Sequence, residues 1–167
     1  MPVIIVFTLL MSSSCAKSSI TAADLASAAT AALGTMPQYQ FYSASSEEYE
    51  ASYLTEEEFS FIYTGEKSTC KEFSVLSDYY MLFSTGISVL ELHVLRASDV
   101  TEVPALEKLV LHRAELLNRY RQIAYDLDLI FLSPNQAEVA VFGHWVILAV
   151  TPDNMGVFDA IKARLRS

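Results

Sequence analysis

The sequence predicts an α+β fold: a two-layer sandwich with a mainly antiparallel sheet of four to five strands and helices covering one face. Three observations lead there. Apolar runs with period-two alternation come in adjacent pairs joined by glycine-containing links. Segments with apolar residues at three- and four-residue spacing lie before, between and after those pairs. No linker or internal repeat divides the chain, so one core is expected over 21–167.

The elements follow in order. Thr21 and Asp24 form a variant capping box ahead of Leu25, Ala28, Ala29, Ala32 and Leu33, and Gly34 suits a helix end. This predicts a helix over 22–33, with a small-residue face able to approach a flat surface. Tyr39–Ser43 reads as a short strand. Thr55 and Glu58 make a full T-x-x-E box, with Glu56 and Glu57 in the first turn where the helix dipole favours anions. A helix over 56–63 is expected, with Phe59, Ile62 and Tyr63 inward.

Phe73–Leu76, extended to Asp78, reads as the next strand. Ile87–Arg96 alternates and pairs with it through Ser84-Thr85-Gly86. On that strand Glu91 and His93 share one face with Ile87, Val89 and Leu95, while Leu90, Leu92 and Val94 lie on the more apolar other face. Ser98 and Thr101 are candidate caps for a long helix over 102–124, with Pro104 in its first turn. Its apolar stripe is Leu106, Leu109, Val110, Leu116, Leu117 and Tyr120. Ala137–Phe142 and Trp145–Thr151 flank Gly143-His144, a Gly-X hairpin signal. The second run is apolar on both faces, as a central strand would be. A last helix over 154–165 carries Met155, Phe158, Ile161 and Leu165 as its stripe, with Lys162, Arg164 and Arg166 in its last turn.

Composition narrows the function classes. The chain has 167 residues, a net charge of -9 and 52% hydrophobic residues. Such a chain has ample apolar matter for a core, and its acidity predicts no nucleic-acid partner, because phosphate binding needs cations. Two cysteines cannot build a disulfide scaffold or a four-thiolate zinc site. Cys70 has Lys71 beside it, a neighbour able to lower a thiol pKa, but no flanking motif of a cysteine enzyme. His93, His112 and His144 lack metal-ligand spacing, and neither a nucleophile elbow nor a phosphate-binding glycine loop is present. The expectation is therefore no catalytic residue, no metal and no cofactor.

The N-terminus carries the strongest signal. Val3–Met11 is nine residues without charge. As a helix it would be about 14 Å long, half a bilayer core, which suits a signal-peptide h-region rather than a span. Ser12-Ser13-Ser14 precede Cys15, and Ala16–Ser19 is polar. The segment resembles a bacterial lipobox. That resemblance implies a signal peptide over 1–14, diacylation of Cys15 and a tether over 15–20. Ser12 stands where a lipobox usually has Leu, and no charge precedes Lys17. An ordinary cleaved signal and a buried N-terminal strand are the other readings of the same residues. An unacylated Cys15 would be free to pair with Cys70.

Glu91–Asp99, the acidic entry to the long helix, the Ala137-Glu138-Val139 hairpin, Gly143 and Val146–Thr151 recur together as a pattern. In this the stretch Ile20–Arg164 resembles a family of small lipoprotein-like proteins of Gram-positive gut bacteria, a domain of unknown function. The resemblance implies an envelope lipoprotein on the extracytoplasmic face, without assigned activity. Its partners would be the membrane, through the lipid, and an envelope protein or small ligand. The segment 39–63 is the candidate interaction surface, because Tyr39, Tyr42, Tyr49 and Tyr53 are interspersed there with Glu47, Glu48 and Glu50. A solvated acidic loop and a cation site are the alternatives. At the level of the whole protein the alternatives are an enzyme or enzyme accessory without a motif, and an intracellular domain with a signal-like N-terminus.

Overall fold

A computed structural model describes residues 20–34, 38–85, 90–126 and 136–167, the last three residues of the long helix by backbone only. Cys15 and the whole proposed signal, tether and lipid site before Ile20 lie outside the described residues. So do Gly86 and the start of the strand expected from Ile87.

Among the described residues five helices, α1 (Ala22–Leu33), α2 (Glu56–Thr64), α3 (Lys71–Ser74), α4 (Val103–Asp126) and α5 (Asn154–Arg166), accompany five strands. The strands are β1 (Tyr39–Ser43), β2 (Leu76–Ser84), β3 (Glu91–Ala97), β4 (Glu138–Phe142) and β5 (Trp145–Val150). They form one sheet in the order β1-β2-β3-β5-β4, and every neighbouring pair is antiparallel. The expected α+β sandwich with an antiparallel sheet is what forms.

The helical cover is broader than the one-faced cover the sequence suggested. Leu92, Val94, Ile147 and Ala149 pack against α1 and α5, which contribute Leu25, Ala26, Ala29, Val157, Phe158 and Ile161. Met81, Leu95, Val146 and Leu148 pack on the opposite face against Phe59, Tyr63, Leu106 and Val110 of α2 and α4. Both faces of β3 and β5 are therefore closed. The physical reason was legible in part: β5 is fully buried along its whole length, and a strand apolar on both faces needs a layer on each. Fully burying a leucine or phenylalanine contributes about 1.5–3 kcal/mol, so each layer is held by several such side chains.

Local signals account for most boundaries. Thr21 and Asp24 form the reciprocal capping box of α1, and Thr55 and Glu58 that of α2. The N-terminal amide of Ala22 also donates to Asp78 on β2, at 2.7 Å, which ties the helix start to the sheet. At α4, Asp99 rather than Ser98 or Thr101 provides the cap, accepting from the Thr101 amide at 2.8 Å ahead of a 3-10 turn over Val100–Glu102.

Three other expectations change. Phe73 and Ser74 belong to the helical turn α3, and the strand runs Leu76–Ser84 instead. The stripe residues Tyr120 and Met155 point to solvent, each 63% exposed. Tyr120 lies past the end of the sheet-facing stripe, and Val103 and Ala114 fill that face in addition. The hairpin turn does form at Gly143, whose φ of 61° is the left-handed backbone that glycine supplies cheaply.

Candidate functional site

Two groups of residues stand out, one closed inside the fold and one at its edge. The closed group begins with Glu91 and His93, two residues apart on β3 and therefore on one face. That face lies under α2 and α4, which bring Tyr63 and Arg113. The Tyr63 hydroxyl is 2.8 Å from His93 Nδ1, with both residues fully buried. Arg113 grips Glu91 with two donors, Nη2 to Oε1 at 2.6 Å and Nε to Oε2 at 3.3 Å. His93 Nε2 lies 3.4 Å from Glu91 Oε2, a charge–dipole contact that falls short of hydrogen-bond alignment. Phe83 closes over the imidazole, with ring centroids 4.9 Å apart.

Protonation follows from these surroundings. Burial pushes the Tyr63 hydroxyl well above the usual phenol range, so it is an O–H donor at neutral pH. Nε2 of His93 faces the Glu91 carboxylate, which only accepts, so the surroundings favour the tautomer with the ring proton on Nε2 and Nδ1 accepting from Tyr63. Burial also lowers the pKa of His93 below the ordinary histidine value, against the pull of Glu91, so the ring is neutral at pH 7. Burial alone would raise Glu91. The His93 contact and the Arg113 guanidinium overcome it and hold the carboxyl below its usual range. The chain Tyr63–His93–Glu91–Arg113 is thus a compensated polar relay. His93 and Tyr63 are fully buried and the Glu91 side chain is 8% exposed, while the Arg113 side chain at the end of the relay keeps 19% exposure. The relay fastens two helices, through Tyr63 of α2 and Arg113 of α4, to the sheet. Sequence reading placed Glu91 and His93 on one face but had no signal for Tyr63 and Arg113 as partners.

The remaining sequence candidates separate. Cys70 is buried, its thiol donates to Glu72 Oε2 at 3.4 Å, and burial with that carboxylate raises its pKa. The lowering effect ascribed to Lys71 is therefore not what governs it. His112 is exposed on α4, and His144 sits in the β4–β5 turn, where its carbonyl accepts from the Ala97 amide at 2.9 Å. Among the described residues no group of three or more His, Cys, Asp or Glu side chains could hold a metal ion. No described helix is long and apolar enough to cross a membrane. An open depression at the β5–α5 turn is lined by Arg121, Glu138, Asp153 and Asn154 among others, with no histidine or cysteine.

The tyrosine-rich segment forms the second group. Tyr39 is 46% exposed on the edge strand, and Tyr49 is 86% exposed on the acidic loop. Tyr42 and Tyr53 are half-buried, and Tyr42 meets Phe83 edge-on at 5.9 Å. Two of the four tyrosines thus reach outward and two lean back on the fold. The loop between them is built, not slack. Ser43 takes the Ser52 carbonyl at 3.0 Å, Ser46 and Ser52 hydroxyls meet at 2.7 Å, and the Glu47 amide donates to Glu50 Oε2 at 3.0 Å. In comparisons with family models, curated proteins and solved structures, none matches this chain.

Proposed function

We propose that this protein is a lipid-anchored binding module of the extracytoplasmic membrane face, without catalytic activity. The observation that carries the reading is the apolar run Val3–Met11 followed by Ser12-Ser13-Ser14-Cys15 and a polar tether. Acylation of Cys15 would anchor the chain, and the family resemblance points the same way. The fold is compatible with it. Thr21 has extended backbone, φ -99° and ψ 162°, and caps α1, so that helix starts afresh at Ala22 instead of continuing an upstream one. The outward Tyr39 and Tyr49, with the acidic loop and the half-buried Tyr42 and Tyr53 behind them, are the proposed contact for an envelope protein or small ligand. Tyr63 and His93 of the best-placed titratable cluster are fully buried in the core, which favours binding over chemistry.

The test is labelling with an alkyne analogue of palmitate in a bacterial host that processes lipoproteins, combined with protease treatment of spheroplasts. Wild-type protein should take up the label and be digested from outside, and Cys15→Ser should take up none. An unlabelled wild-type chain protected inside the cell would defeat the proposal.

A further inference from the structure

The hydrogen-bond parity of β1 leaves a usable edge. The Thr85 amide donates to the Gln38 carbonyl at 2.9 Å, and the Ala44 amide to the Tyr79 carbonyl at 3.0 Å. With Tyr39 opposite Ser84 and Ser43 opposite Tyr80, those two bonds fix the alternation. Gln38, Gln40, Tyr42 and Ala44 turn their backbone groups toward β2, and Tyr39, Phe41 and Ser43 turn theirs away. The Ser43 amide is taken by the Ser52 carbonyl. The N–H and C=O of Tyr39 and Phe41 remain on the outer side, where β1 ends the sheet.

Protein edges of this kind are ordinarily blunted by proline, lysine or a bulge. Tyr-Gln-Phe-Tyr-Ser has no charge and no proline, and its register with β2 is continuous. At the sheet's other edge, Asn118 takes both the amide and the carbonyl of Ala137, the residue before β4, at 2.7 and 3.1 Å. Beside the open edge, Phe41 lies flat on Tyr80, with centroids 5.3 Å apart and planes 7° apart, while still 37% exposed. Tyr39 extends that aromatic platform along the same face.

Charge selects the occupant. From Gln38 to Glu66 the chain has seven carboxylates, Glu47, Glu48, Glu50, Glu56, Glu57, Glu58 and Glu66, and no lysine or arginine. A second copy of the chain would bring the same carboxylates and a net charge of -9 to the contact. A cationic strand would meet attraction instead, and its side chains could lie over the exposed rings. We propose that the outer edge of β1 accepts an extended, lysine- or arginine-containing segment of another protein as a sixth strand. This rests on reading the protein as a binding module and gives that module a partner class and a docking mode.

The full chain, held in mild detergent, is titrated with two capped peptides, Lys-Val-Lys-Val-Thr-Val-Lys and its glutamate counterpart, while amide exchange is followed residue by residue. The lysine peptide should slow exchange at Tyr39 and Phe41 at least tenfold and leave Gln40 and Tyr42, already bonded to β2, unchanged. The glutamate peptide should bind at least tenfold more weakly, and added salt should weaken the lysine peptide. Phe41→Pro removes an outward amide without removing a β1–β2 bond and should abolish the effect. Phe41→Lys, which keeps the strand, should weaken binding at least tenfold by like charge. Equal binding of both peptides, or no slowing at Tyr39 and Phe41 at millimolar lysine peptide, would overturn the proposal. So would protection of the same amides in a peptide-free dimer, because the occupant would then be a second copy. The Cys15→Ala chain should give the same peptide result, so failure of the lipid anchor and failure of the edge are separate readings.

Discussion

At the residue scale, the relay on the inner face of β3 makes the sharpest demands. Tyr63→Phe would leave His93 Nδ1 buried without a donor and should cost about 1–2 kcal/mol in denaturant unfolding. Arg113→Ala would leave the Glu91 carboxylate, 8% exposed, without its cation. The loss should be at or below about 3 kcal/mol, the lower end for a broken buried pair, because the Arg113 side chain keeps 19% exposure. Adding Glu91→Gln to Arg113→Ala should recover part of it, since no buried charge then remains. The pH dependence has a definite sign. Folded His93 has a lowered pKa, so below about 6.5 the unfolded chain binds a proton that the folded chain refuses. Stability therefore falls as pH drops through that region, with a slope approaching about 1.4 kcal/mol per pH unit. His93→Gln should flatten that limb between pH 7.5 and 5.5, and in the wild type the lowered carboxyl of Glu91 should leave a second loss below about 4.5. Unfolding curves across that range decide it.

At the scale of elements, legibility followed the chemistry of the signals. The helices over 22–33 and 56–64 were readable because capping boxes are local: Thr21 with Asp24 and Thr55 with Glu58 act within one turn. The hairpin at Gly143 was readable for the same reason. Gly143→Val would force a branched side chain to φ 61° and should cost on the order of 1–2 kcal/mol, read as a lower midpoint in thermal unfolding. The strand β2 was only half read. Its Tyr-Tyr-Met-Leu-Phe centre is apolar without alternation, because it packs between two layers, and a single-faced template finds no period there. Lys71–Ser74 could not be read as helix, since one turn carries too few positions for a pattern. The outward turn of Tyr120 and Met155 likewise depends on where the helices overrun the sheet, which is tertiary information.

At the scale of the whole molecule, a three-layer arrangement emerges from strands that are apolar on both sides. The polar exceptions on the inner strand, Glu91 and His93, were visible as residues but not as a site, because their partners lie 22 and 30 positions away in sequence, respectively. The tyrosine-rich segment was legible as unusual. That it forms a sheet edge with outward backbone groups at Tyr39 and Phe41 required the register of β1 on β2. Two attachments are proposed for this body: a lipid at Cys15 and a cationic strand at β1. The first carries the assignment of place, and without it the edge would be a binding surface with no address.

The most direct measurement is intact mass combined with detergent-phase partitioning of the full chain and of Cys15→Ala, both produced in a host with lipoprotein processing. The account predicts that the wild type loses residues 1–14, gains the mass of a diacylglycerol and enters the detergent phase, with the Cys15→Ala chain doing none of these. A wild type of unmodified full length that stays in the aqueous phase would contradict it.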